Sequence, residues 1–274
     1  MKTLALLLAL PLAVLAADKP VDAGPYVPSP QSVVSDMLRY AEVGPRDFLI
    51  DLGSGDGRIV RTAAIHFGAR GFGVEIKDEL VKQSNEDAKK EGIADRVKFM
   101  KQDLFKTDIS QATVVTMYLL PHTVNMLKDK LLTELRPGAR IVSHDYPLSG
   151  WVPEKTVQMD LEDKVQISGV TTTLIFLYKV PAKVAGKWTA TVPANVGKGP
   201  LVLNLKQQIT RVSGNAWQGG KEVVLEDLRL HGEKIVFSIA GRKINFIGDV
   251  SKDSIGGEVD VNGVKAPWSA KLGK

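Results

Sequence analysis

Apolar and polar positions along this chain change rhythm three times. Leu4 to Leu15 is an unbroken apolar run. From Gln31 the spacing becomes helical, with Val33, Val34, Met37, Leu38 and Ala41 on one face and Pro45 closing the segment. Short apolar runs then alternate with amphipathic windows. Phe48-Leu49-Ile50 predicts a buried strand, Ile59 to Phe67 a helix, Gly71 to Ile76 a strand, and Asp78 to Glu91 a helix capped by Gly92. Val97 to Met100 and Ala112 to Tyr118 predict two more strands, Thr123 to Leu135 a helix stopped by Pro137-Gly138, and Ala139 to Ser143 a fifth strand. Strands alternating with helices imply a parallel, doubly wound sheet covered on both faces. Thr156 to Ile167 and Val170 to Val180 read as two further strands, with only Ser168-Gly169 between them. A two-residue link joins antiparallel strands and not parallel ones, so the sheet is expected to end in an antiparallel hairpin.

After Pro181 helical windows vanish. Short β-rich runs such as Leu201 to Leu205, Val223 to Leu230 and Ile244 to Ile247 are separated by glycine turns, which predicts a small antiparallel half-barrel or sandwich. Its Trp188 and Trp268 are expected in the core or closing it. The organisation predicted is a leader at 1–17, an α/β unit at 18–181 and an all-β unit at 186–274.

The first run has the layout of a secretory signal peptide, with Lys2 before the apolar stretch and Ala16-Ala17 before Asp18. Twelve helical residues span about 18 Å, short of a bilayer core of about 30 Å, so no stable membrane span is expected and the mature protein is expected in the periplasm or secreted. There is no cysteine, which excludes disulfides, thiolate metal sites and a lipoprotein anchor; no metal site is expected. The net charge of +5 carries no block of like charges, so no dedicated nucleic-acid arm is expected.

Candidate chemistry concentrates in Asp51-Leu52-Gly53-Ser54-Gly55-Asp56-Gly57, placed after one strand and before a helix. Glycines there permit a tight turn and close backbone approach to a ligand. Glu75 ends the next strand 20 residues beyond Gly55, the separation expected of a carboxylate that accepts ribose hydroxyls. The glycine spacing differs from the G-x-G-x-x-G of dinucleotide sites, and Asp56 would repel a pyrophosphate but attract a sulfonium and an ammonium. The loop therefore favours S-adenosylmethionine.

Tyr26-Val27-Pro28-Ser29-Pro30, the stretch Asp51 to Val60 (DLGSGDGRIV), Tyr118-Leu119-Leu120-Pro121 and Arg140 to Trp151 together resemble one class I methyltransferase family. It is the ATP-synthase c-subunit lysine methyltransferase family with its bacterial relatives, and the resemblance covers about Gly24 to Pro153. It implies a Rossmann-like class I sheet and an S-adenosylmethionine-dependent enzyme. By that resemblance Asp51, Gly53, Ser54, Gly55 and Asp56 line the methionine end, Glu75 holds the ribose, and Asp103 accepts from the adenine amino group. Asp103 can also be read as a plain turn residue, since Asp is common after strands. Tyr26 and Pro28 of the lead, with Leu119 and Pro121, fall on the substrate side. The leader and the β unit depart from the family pattern.

The reaction expected is in-line transfer to a protein lysine or another amine. Tyr118 and His144, at the ends of the fourth and fifth strands, are the catalytic candidates. Tyr118 is expected to shape the acceptor channel; His144 is either a base or a hydrogen-bonded loop histidine. Position 118 lacks the Asn or Asp of the Asn-Pro-Pro-Tyr element of amide and base aminomethylases. Two alternatives stay open: a small-molecule or lipid methyltransferase, for which the Leu119-Leu120 wall would suit an apolar acceptor, and a non-catalytic envelope protein that binds the nucleoside.

Overall fold

The computed structural model describes residues 24–162, 164–165 and 169–273. The predicted leader lies outside the described residues. Five parallel strands form the first sheet: β1 (Phe48–Leu52), β2 (Arg70–Glu75), β3 (Val97–Lys101), β4 (Val114–Met117) and β5 (Arg140–His144). Strands β6 (Lys155–Asp160) and β7 (Thr172–Lys179) complete it, β7 running antiparallel to both β5 and β6. The order is β3-β2-β1-β4-β5-β7-β6, the Rossmann-like methyltransferase sheet with its terminal antiparallel hairpin.

Successive residues of each central strand feed opposite cores, as a pleat covered on both faces demands. Leu49, Val114 and Val142 join the core beneath α1 (Gln31–Tyr40), α2 (Arg58–Phe67) and α3 (Asp78–Lys90). Ile50, Val115 and Ile141 join the other, beneath α4 (Pro121–Met126) and α5 (Lys128–Glu134). The single helix expected over Thr123 to Leu135 is thus two, meeting at the buried Leu127, and it starts earlier because Pro121 opens the first turn.

The terminal hairpin differs from expectation in its connection. β6 stops at Asp160, whose carboxylate accepts from the Thr172 hydroxyl at 2.9 Å, and β7 begins at Thr172. The link runs from Leu161 to Thr171 rather than through two residues, and within it the buried Lys164 turns inward to the Asp145 carboxylate.

The second sheet comprises nine antiparallel strands, β8 (Gly186–Thr191), β9 (Leu201–Gln208), β10 (Arg211–Gln218), β11 (Lys221–Val223), β12 (Leu225–His231), β13 (Lys234–Ile239), β14 (Ile244–Ser251), β15 (Ser254–Val261) and β16 (Val264–Leu272). Their order is β11-β10-β9-β8-β16-β15-β14-β13-β12, and β10 packs against β12 so that the sheet curls into a barrel-like shell. Trp188 and Trp268 are buried in its core; the Trp268 ring meets the stacked Phe237 and Phe246 edge-on.

The β unit meets the first sheet at the end where β5 begins. Glu233 lies against Gly138, Gly232 against Lys179, and His231 Nδ1 is 2.9 Å from a Glu154 carboxylate oxygen. The carboxyl ends of β1, β4 and β5 point the other way. Among the described residues no helix is long and apolar enough to cross a membrane.

Candidate functional site

Strand order reverses between β1 and β4, and in open α/β sheets ligands bind beyond the carboxyl ends of the strands at such a switch point. A cleft opens there, lined by the 24–29 lead, the glycine loop, Glu75, Gln102, Leu104, Tyr118 and Leu119.

The glycine loop is built as the cradle requires. Gly53 and Gly55 both lie in the left-handed region, at φ 79° and 53°, which other residues adopt at a cost. A Cβ on Gly55 would stand 2.5 Å from the Tyr26 ring, and one on Gly53 would stand 2.7 Å from Leu119. Lead, loop and β4 extension therefore pack at backbone distance. Arg58, at the start of α2, pins this arrangement: one guanidinium nitrogen donates 2.8 Å to the Ser29 carbonyl, while another donates 2.6 Å to Asp56. Burial alone would raise the Asp56 carboxyl, but the Arg58 bonds outweigh it and hold it below its ordinary value.

That pairing changes the electrostatics expected from the sequence. Asp56 lines the cleft with its charge already met by Arg58. Asp51 and Glu75 have no ion-pair partner among the described residues. Asp51 is buried and accepts from the Thr116 hydroxyl at 2.7 Å. Burial pushes its pKa up to about 7; Thr116 opposes, and the Asp56 and Glu75 charges add to the rise. Glu75 is oriented by backbone N–H donors, Gly55 at 3.1 Å on one oxygen, with Ile76 at 2.8 Å and Lys77 at 2.9 Å on the other. The Ser54 hydroxyl, also cleft-lining and buried, has no hydrogen-bond partner among the described residues. A glycine cradle, two unmatched carboxylates and an unbonded hydroxyl fit a ligand that is cationic and rich in hydroxyl and amine donors, as S-adenosylmethionine is.

Asp103 occupies the turn position that the plainer reading gave it. Its carboxylate caps the 3-10 turn Leu104–Lys106 through the Phe105 N–H at 2.8 Å, and its neighbours Gln102 and Leu104 line the cleft. Tyr26, Pro28 and Leu119 line the cleft, whereas Pro121 is the first residue of α4 and lies outside the lining.

The Tyr118 hydroxyl donates to an Asp145 oxygen at 3.3 Å, and its ring lies over the His144 ring with centroids 3.9 Å apart. Burial first, then the Asp145 charge, raises the Tyr118 pKa well above its ordinary value, so it stays protonated. His144 does not reach the cleft. It is fully buried, with Nδ1 2.8 Å from the Ser29 hydroxyl and Nε2 2.9 Å from the Thr173 hydroxyl. Burial lowers its pKa to about 4 against the Asp145 charge, with Lys164 adding to the drop. The expectation of a base at His144 is corrected: the ring is neutral, bonded at both nitrogens and sealed behind Tyr118.

Lys164 is the residue that sequence reasoning missed. Its ammonium donates to both Asp145 oxygens, at 2.8 and 2.6 Å, to the Thr172 carbonyl at 2.6 Å and to the Thr173 hydroxyl at 2.9 Å. Burial would raise Asp145, but with His144 neutral the Lys164 ammonium and the Leu174 N–H still keep it below its ordinary value.

The fold and cleft define an S-adenosylmethionine-dependent methyltransferase. The ANTKMT methyltransferase domain matches residues 51–155. A protein-lysine N-methyltransferase of Saccharolobus islandicus is 45% identical over 137 residues, which is 50% of this chain and 85% of that protein. The adenine nucleotide translocase lysine N-methyltransferase of Mus musculus is 37% identical over 134 residues, 48% of this chain and 58% of that protein. A crystal structure of an RNA methyltransferase from Salinibacter ruber with S-adenosyl-L-homocysteine is 46% identical, with a TM-score of 0.52 over 58% of this chain and 96% of that one. The chain belongs to the protein-lysine N-methyltransferase family. The family-domain match ends before β8 begins, so the β unit lies outside it.

Proposed function

We propose that this protein transfers a methyl group in line from S-adenosylmethionine to the side-chain amine of a protein lysine. The observation that carries this reading is Tyr118. Its proton is committed to Asp145, so its oxygen keeps lone pairs for an amine N–H at the cleft wall. The 45% identity to an archaeal protein-lysine N-methyltransferase supports the same acceptor class.

When bound, S-adenosylmethionine supplies an electrophilic methyl on a sulfonium. The chain's own residues bind and orient. Asp51 would hold the amino-acid ammonium, Glu75, its carboxylate pre-aimed by three N–H donors, would hold the ribose hydroxyls, and the second Asp103 oxygen would accept from the adenine amino group. Tyr26 and Leu119 close over the loop and exclude water.

A lysine nucleophile must be neutral, and deprotonation at pH 7 costs about 4.6 kcal/mol from a reference pKa near 10.4. Among the described residues no strong base stands at the wall. His144 is sealed, and Asp145 already accepts from Lys164, Thr173, the Leu174 N–H and Tyr118. Desolvation beside a fixed positive charge therefore supplies the neutral amine, and Tyr118 orients it.

Methyl-labelled S-adenosylmethionine offered to a lysine-containing peptide library, a matched library with arginine for lysine, and total RNA tests the proposal. Methyllysine in the first pool alone is expected. Label in the RNA, or no transfer from a protein that binds the cofactor, would overturn it.

A further inference from the structure

Charges in the β unit look scattered along the sequence, but the fold gathers them. Between Ala182 and Lys221 there is no acidic residue, while Lys183, Lys187, Lys198, Lys206, Arg211 and Lys221 are basic. From Asn262 onward there is again no acid, and Lys265 and Lys271 are basic. These segments form β10, β9, β8 and β16, which are hydrogen-bonded neighbours in that order. The acids of the unit fall on the remaining strands and their turns, from Glu222 to Asp260.

Register places the outward side chains in rows. Lys187 pairs with Asn204 and Asn204 with Asn215; Lys271 pairs with Thr189, Thr189 with Val202, and Val202 with Trp217. Lys187, Asn204, Lys206 and Lys271 are exposed. Trp217 is only half-buried and walls an open groove of about 660 Å³ with Lys187, Val202, Asn204 and the Gly219-Gly220 turn. Three strand steps separate β10 from β16, about 14 Å at ~4.8 Å per step, so the cations bracket the groove on an extended face.

We propose that this face binds an acidic polysaccharide: a sugar ring stacks on Trp217, Asn204 meets its hydroxyls, and the lysines meet carboxylates along the polymer. Charge complementarity selects a polyanion, since the four strands carry no acid and Glu222, which pairs with Trp217 at their edge, already accepts from the Asn215 amide at 2.9 Å. A bilayer surface fits less well, because Val264, at the start of β16, is the one exposed large apolar residue on the four strands. Single-stranded nucleic acid fits less well too, because successive bases need successive aromatic platforms and these outward rows offer one. The β unit joins the first sheet away from the methyl-transfer cleft, so polymer held here leaves that cleft open.

The test is binding of polygalacturonate to the full chain, followed by Trp fluorescence and calorimetry, beside a single-stranded oligothymidylate of equal charge. Polygalacturonate is expected to bind and to shift Trp emission, with affinity falling steeply from 50 to 200 mM salt. Lys187→Glu with Lys206→Glu should weaken it at least tenfold, and Trp217→Ala about fivefold, with S-adenosylmethionine affinity unchanged. Lys234→Glu with Lys252→Glu, on the acid-bearing half, should leave binding within twofold. No binding at 50 mM salt, tighter binding of the oligonucleotide, or equal loss in both charge-reversal pairs would overturn the proposal.

Discussion

The Lys164 ammonium lies 2.6 Å from one Asp145 carboxylate oxygen and 2.8 Å from the other, with only 4% of its side chain exposed. Asp145 holds a positive φ of 62°, a conformation Asp tolerates better than most residues, and this turns its carboxylate toward Tyr118. One buried ion pair thus fixes the hydroxyl at the cleft wall.

Breaking that pair from the lysine side leaves the Asp145 carboxylate, whose side chain is 13% exposed, without its counter-charge. Lys164→Met is expected to destabilise the fold by about 3 kcal/mol, the lower end of the range for breaking buried pairs. Chemical denaturation checks it, and adding Asp145→Asn to the same chain should return part of the loss.

Tyr118→Phe keeps the ring over His144 and removes only the hydroxyl. With the amine no longer oriented, kcat on a lysine peptide is expected to fall about tenfold, roughly 1.4 kcal/mol, while S-adenosylmethionine affinity stays within twofold. An unchanged kcat would remove the hydroxyl from the reaction.

Asp51 couples cofactor binding to protons. Its carboxyl is raised to about 7 in the free protein, and a bound cation favours the ionised form. S-adenosylmethionine affinity should therefore rise with pH through about 7 and level off above it, with proton release on binding at pH 6. Calorimetry in buffers of different ionisation enthalpy measures that release, and Asp51→Asn should abolish it along with much of the affinity.

Much of the fold was legible because the first sheet is covered on both faces, so its strands show as continuous apolar runs between amphipathic windows. The glycine loop was legible because left-handed backbone needs glycine wherever it occurs. Lys164 was not. It sits in Thr156 to Ile167, where alternation past Asp160 reads as strand, and nothing local signals that a charged residue turns inward to a partner 19 positions away. His144 misled for the opposite reason: its place at a strand end suggests chemistry, and only packing against Ser29 and Thr173 shows both nitrogens bonded. Arg58 shows the same limit, since its neutralisation of Asp56 is local in sequence while its grip on Ser29 is not.

Asp51 and His144 should pull stability in opposite directions over one pH window. Asp51, raised from 3.8 to about 7, binds its proton more tightly folded than unfolded. Its contribution is complete below about 4 and is lost as pH rises to about 7. His144, lowered from 6.5 to about 4, binds its proton less tightly folded. Its contribution is complete above about 6.5 and is lost as pH falls to about 4. The two slopes offset in the free wild-type protein, whose melting temperature should change little from pH 4.5 to 6.5. Asp51→Asn removes the falling slope and exposes the rising one, so this variant should gain stability with pH across the window. His144→Gln should do the reverse. Melting curves of the three proteins at five pH values decide it: parallel lines would mean that neither group titrates as its burial dictates.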